Sequence, residues 1–144
     1  MGERVPIGQM TYSIIESSWR TQLGESFRTR SPENRFLLIN VSVTNGTGKD
    51  VSIPLLTLEG TNSQTYREVP NGEGVDNWFG LLRTISPGQT QQGNVLFDVP
   101  LTSYKLRVPD VADEASEKYA SVQIPLRLDP DLPIQSPINP DSLK

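Results

Sequence analysis

The chain has 144 residues, 35% of them hydrophobic, a formal net charge of −4, and neither histidine nor cysteine. That length suits one domain with one sizeable core. The two missing residue types exclude Ser-His-Asp and Cys-His catalysis, imidazole- and thiolate-ligated metals, and disulfide staples, while the acidic balance argues against a nucleic-acid partner.

Gly, Pro, Ser, Thr and Asn make up much of the remainder, a composition that favours many short strands divided by turns. Strands are expected at 9–16, 35–44, 51–59, 64–69, 78–85, 91–99, 103–108 and 119–128. The clearest is RFLLINVSVT at 35–44. There the period-two alternation puts Leu37, Ile39, Val41 and Val43 toward a core and Asn40, Ser42 and Thr44 away from it. Val95, Phe97 and Val99 alternate in the same way, as do Tyr104, Leu106 and Val108. Pro54 and Pro125 each remove a ladder donor, so their strands belong at edges or bulges.

The turns have their own chemistry. TNGTGKD at 44–50 supplies two glycines and an Asn that tolerates left-handed backbone. SPGQ at 86–89 has Pro at the second position and Gly at the third, as a type II turn requires. One or two helical turns are expected near PDVADEASEK, with Asp110 as the cap. From Asp129 the chain holds four prolines in sixteen residues and no periodicity. The expected organisation is therefore a domain at 1–128 and a Pro-rich tail or linker at 129–144. The longest apolar run, Phe36 to Ile39, is far too short to span a bilayer.

The order of YSIIES, RFLLINVSVTNGTGKDVSI, LTLEGTNSQTY and LRTISPGQTQQGNVLFDVP resembles the DUF4352 family of bacterial exported domains, over roughly residues 8 to 128. The resemblance implies an all-β, two-layer antiparallel immunoglobulin-like β-sandwich of the MPT63 type. It further implies attachment to or release from a bacterial cell surface, often as a lipoprotein, with no catalytic residues to transfer. The chain shows neither an export leader nor a lipid-bearing cysteine, so an extracytoplasmic location would depend on a segment outside it.

Two aromatics stand out. Trp78 and Phe79 follow the Gly-rich NGEGVDN, and with Asp76 they form a candidate binding site for a sugar ring or a protein side chain. The competing reading makes one of them a core residue and the other a cover for its edge. Trp19 is read as an anchor into the core. Asp110, Asp113, Glu114 and Glu117, and separately Asp129 and Asp131, lack the spacing of a calcium loop, and nothing raises one member's pKa as paired-acid catalysis needs. They read as solvated acidic loops. The chain is thus expected to be a non-catalytic, cofactor-free, extracytoplasmic binding or structural module of a bacterial cell envelope, with no metal site. Its expected partner is a protein, the alternative being a carbohydrate-binding module that recognises a cell-envelope glycan.

Overall fold

The structure, a computed structural model, describes residues 3–25, 28–111 and 118–126. Its strands are β1 Glu3–Ile7, β2 Met10–Arg20, β3 Leu23–Glu25, β4 Arg28–Arg30, β5 Arg35–Asn45, β6 Val51–Ser52, β7 Thr57–Glu59, β8 Thr65–Arg67, β9 Thr84–Ile85, β10 Thr90–Val99, β11 Tyr104–Pro109 and β12 Tyr119–Ile124. Two four-stranded antiparallel sheets, ordered β1-β2-β5-β10 and β12-β11-β7-β8, face each other, with small β3-β4 and β6-β9 pairs at their margins. This is the all-β two-layer antiparallel sandwich that the alternation predicts.

The alternation in β5 sets the core. Leu37, Ile39, Val41 and Val43 are each 0% exposed. They meet Val95, Phe97 and Val99 of β10 and Leu58, Leu106, Val108, Val122 and Ile124 of the opposite sheet. Each such side chain contributes roughly 1.5–3 kcal/mol on burial. Tyr12 ties the layers together: its hydroxyl donates to the Pro109 carbonyl across the sandwich at 2.6 Å. Burial and the nearby Asp110 carboxylate both raise the pKa of this phenol. Tyr104, stacked edge-on against Tyr66, donates to the Pro100 carbonyl at 2.6 Å, and its pKa is pushed up to about 12 by burial and then by Tyr66.

Three sequence expectations change in detail. The strand expected at 9–16 continues to Arg20, because a bulge between Ile14 and Glu16 shifts its register against β5. One extra residue reverses the inward parity, so Met10, Tyr12 and Ile14 are followed inward by Trp19, which faces Leu37 and is buried at 3% exposure. The alternation fails in the sequence while the strand goes on. Second, the expected strand at 51–59 is two, β6 and β7, divided at Pro54, which has no N–H for a ladder. Third, the segment at 78–85 is strand only at β9 and in one isolated parallel bridge between Trp78 and Asn94. Strands β1, β3 and β4 have no counterpart in the expected set. Residues 112–117, which hold most of the expected helix, and those from 127 onward, with the expected domain boundary and tail, lie outside the described residues.

Candidate functional site

The segment at 69–83 runs along the free edge of β10. Val69 N–H donates to the Leu96 carbonyl at 2.8 Å, Asn94 N–H to the Asn77 carbonyl at 2.8 Å, and Phe79 N–H to the Asn94 carbonyl at 2.8 Å. An edge that would otherwise template another strand is covered in this way. The segment also screens Leu38 and Leu96, on the outward faces of β5 and β10, through Val69 and Val75.

Two glycines admit this close passage. A Cβ on Gly93 would stand 2.8 Å from the Phe79 Cα and 2.9 Å from the Asn77 carbonyl oxygen. A Cβ on Gly72 would overlap the indole of Trp78 outright. The tryptophan therefore packs against bare backbone at Gly72, with its indole N–H buried and unpartnered.

The three candidate residues separate by environment. Phe79 is in the core at 5% exposure, and the Arg83 guanidinium stands 5.0 Å from its ring centroid. Its ring presents no face to solvent. Trp78 is half-buried and Asp76 is exposed. Asn40, Asn77, Trp78, Gln92 and Gly93 line an open depression of about 430 Å³.

The floor of that depression is a relay of amides. Gln92 Nε2 donates to Asn40 Oδ1 at 2.8 Å, Asn40 Nδ2 to Asn94 Oδ1 at 3.1 Å, and Asn94 Nδ2 to the Asp76 carbonyl at 2.7 Å. Further along the same face, Ser42 stands across from Gln92, and Thr44 bonds Thr90 at 2.7 Å. The result is a wall of amides and hydroxyls with an indole at its rim, bordered by the exposed Asp76 and by the exposed Glu16, which stands across from Asn40 in β2. Such a face can make contacts and hydrogen bonds. Among the described residues, no group of three or more acidic side chains could hold a metal ion.

Sequence reasoning missed two buried polar clusters. The first is Asn45, 0% exposed. Its Nδ2 donates to the carbonyls of Lys49 and Ile85, both at 2.8 Å, while its Oδ1 accepts from Thr47 N–H at 2.9 Å and Thr47 Oγ1 at 2.6 Å. Its own carbonyl accepts from Gly88 N–H at 2.7 Å. One residue, through side chain and main chain together, thus joins the TNGTGKD turn to the SPGQ turn, whose Gln89 N–H closes on the Ser86 carbonyl at 3.0 Å with Gly88 at φ 75°. The signal was present as an Asn inside a Thr-Asn-Gly-Thr turn, since Asx side chains bond their own backbone two residues on.

The second is an ion pair between Glu68 and Arg83, with side chains 0% and 2% exposed. Glu68 Oε1 also accepts from Leu56 N–H at 3.0 Å and from Arg83 Nη1 at 2.8 Å, and Arg83 donates to the carbonyls of Gly80 and Pro54. A charge-assisted network replaces the ladder where Pro54 interrupts it. Nothing in the local sequence pairs residues 15 apart in this way.

The family model of DUF4352, a domain of unknown function, matches residues 1–118. No curated protein matches the sequence significantly. Among solved structures, the yjhA protein of Bacillus subtilis is similar at a TM-score of 0.66 and 18% identity, over 86% of this chain and 97% of that one. A functionally unknown protein of Listeria monocytogenes is similar at 0.60 and 14%, over 87% of this chain and 82% of that one. A candidate lipoprotein of Bacillus subtilis, ycdA, is similar at 0.65 and 16%; the likeness covers 85% of this chain and 38% of that one. At these identities the likeness is one of fold.

Proposed function

This chain belongs to the DUF4352 family, and we propose that it is a non-catalytic extracytoplasmic module of a bacterial cell envelope that acts by contact with a protein. The observation that carries the reading is the indole of Trp78, packed on Gly72 at the rim of an amide and hydroxyl wall. Protein contacts centre on aromatic anchors in neutral, desolvated surroundings ringed by polar groups, and a pre-set ring loses little rotamer entropy on binding. The fold likeness to a candidate lipoprotein of which it covers 38% supports a module that works beside other segments at a cell surface. No described helix is long and apolar enough to cross a membrane, which leaves strands unaddressed.

A glycan is the second reading, favoured by the uncharged Gln92, Asn40 and Asn94 relay beside the indole. Sugars are bound by such amides with an aromatic ring as platform.

One experiment separates the two. Trp19→Phe leaves Trp78 as the single indole, and acrylamide quenching then reports its accessibility. Quenching suppressed by an envelope protein fraction, and not by purified peptidoglycan, is the expected result. Suppression by peptidoglycan alone selects the glycan reading. An indole whose quenching neither addition changes removes this rim as the contact site.

A further inference from the structure

The opposite face of the sandwich has a different character. On β11, β7 and β8, Arg107, Thr57 and Arg67 stand in one row across the strands. The two strands bearing the arginines are about 10 Å apart, two inter-strand spacings. Beside them Pro54, Leu55, Pro109 and Tyr119 complete a groove of about 290 Å³. Tyr119 is 48% exposed, and the Arg107 guanidinium lies 4.6 Å from its ring centroid. Arg107 is partly engaged by Glu59, at 3.3 Å. Arg67 is exposed and has no hydrogen-bond or ion-pair partner among the described residues. Two guanidiniums therefore share an apolar groove on a chain whose net charge is −4.

We propose that this groove binds an extended acidic peptide segment, one carboxylate on Arg67 and a second, three residues away, on Arg107. Spacing and surface together select this occupant. In a polyproline II strand, three residues advance about 9 Å, close to the separation of the two arginine-bearing strands. Proline rings pack well on a tyrosine and proline surface, the mode by which aromatic grooves take Pro-rich segments. Guanidinium forks match carboxylates bidentately and, stacked on an aromatic ring, keep their orientation. A bare anion would use the charges and leave Leu55, Pro54 and Pro109 unsatisfied. The groove lies on the sheet that does not hold Trp78, so it stands or falls independently of the rim described above.

The test is titration of the isotope-labelled full chain with an acetylated, amidated heptapeptide bearing glutamate at its first, fourth and seventh positions and proline between. The control peptide has glutamine in place of each glutamate. Amide shifts are expected to cluster at Arg67, Arg107 and Tyr119, with at least tenfold weaker binding of the control. Arg67→Glu is expected to lose at least tenfold in affinity and Arg67→Gln less. Arg67 is exposed, so both variants keep the wild-type spectrum elsewhere. Equal binding of both peptides, shifts outside the groove, or unchanged affinity in Arg67→Glu overturns the proposal. So does displacement of the peptide by phosphatidylglycerol vesicles that shift the same amides, which would assign the groove to lipid headgroups.

Discussion

The β5–β10 ladder and the irregular passages at 53–56 and 68–83 bound the same core by opposite means. The ladder is ten consecutive antiparallel pairs, Thr90 with Thr44 through Val99 with Arg35, backed on its inner side by aliphatic residues. The passages have almost no ladder. Their backbone groups are satisfied by Glu68 and Arg83 buried together, and by Phe79 and Asn77 reaching across to Asn94. Regular pairing satisfies the backbone automatically, so its side chains are free to be apolar. An irregular passage at the same depth must bring its own donors and acceptors, because an unpaired buried polar group is costly. Charged residues enter the interior here for that reason.

The largest effect that tests this contrast lies in the ladder. Val41→Asp places a carboxylate at a fully buried position in the apolar core, at a cost of several kcal/mol against a total stability on the order of 5–15 kcal/mol. The expected outcome is loss of cooperative unfolding by circular dichroism. A folded Val41→Asp protein would mean that the interior tolerates charge generally, and the contrast between the two regions would dissolve.

How legible each region was in the sequence follows from the same physics. Alternation is a local, period-two signal, so β5 and β10 could be read from Leu37 to Val43 and from Val95 to Val99. The signal fails where one residue is inserted, which is why β2 was expected to stop near Glu16 when it continues through its bulge to Arg20. It also fails where packing is not periodic: Phe79 and Trp78 are adjacent in sequence, yet one is core and the other half-buried, because a bridge to Asn94 sets the backbone there. The Glu68–Arg83 pair was invisible because a charged side chain reads as surface until its partner is known. The candidate site was legible only in part. Trp78 and Asp76 could be named, but the amides of Asn40, Gln92 and Asn94 come together by strand register, which no local motif encodes.

The lock between Glu68 and Arg83 gives the next effect. Glu68→Ala leaves a guanidinium buried with no counter-charge and frees the Leu56 N–H, and breaking a buried pair from one side costs about 3–5 kcal/mol. Urea denaturation of Glu68→Ala should show that loss. The double variant Glu68→Leu, Arg83→Met should recover much of it, since well-packed apolar replacements of buried pairs are often neutral. If the single and double variants lose equal stability, the pair is valued for its backbone bonds and not for its charge balance, which sharpens the reading of the passage as a substitute ladder.

The smallest of the three effects concerns Asn45, which lies where the two regimes meet. It is the last residue of β5, and its side chain leaves the ladder to hold the turn at Lys49 and the end of β9 at Ile85. Asn45→Ala removes a donor from the Lys49 and Ile85 carbonyls and an acceptor from the N–H and hydroxyl of Thr47. The Thr47 hydroxyl, whose one proton has either Asn45 Oδ1 or the Lys49 carbonyl at 2.8 Å as acceptor, turns to that carbonyl. Only part of the network is therefore orphaned, and the expected cost is about 1–3 kcal/mol. Asn45→Asp separates shape from donation: the acceptor oxygen stays for Thr47, while the second oxygen is turned on two carbonyls. If donation to Lys49 and Ile85 is what joins the turns, Asn45→Asp loses at least as much stability as Asn45→Ala in urea, and amide exchange accelerates at Gly88 and Gln89 in both. An Asn45→Asp protein as stable as the wild type would place the side chain's share of this corner in the Thr47 contacts, and the SPGQ turn would then rest on its own hydrogen bond and on the main-chain bonds of residue 45 to Gly88 and Gln89.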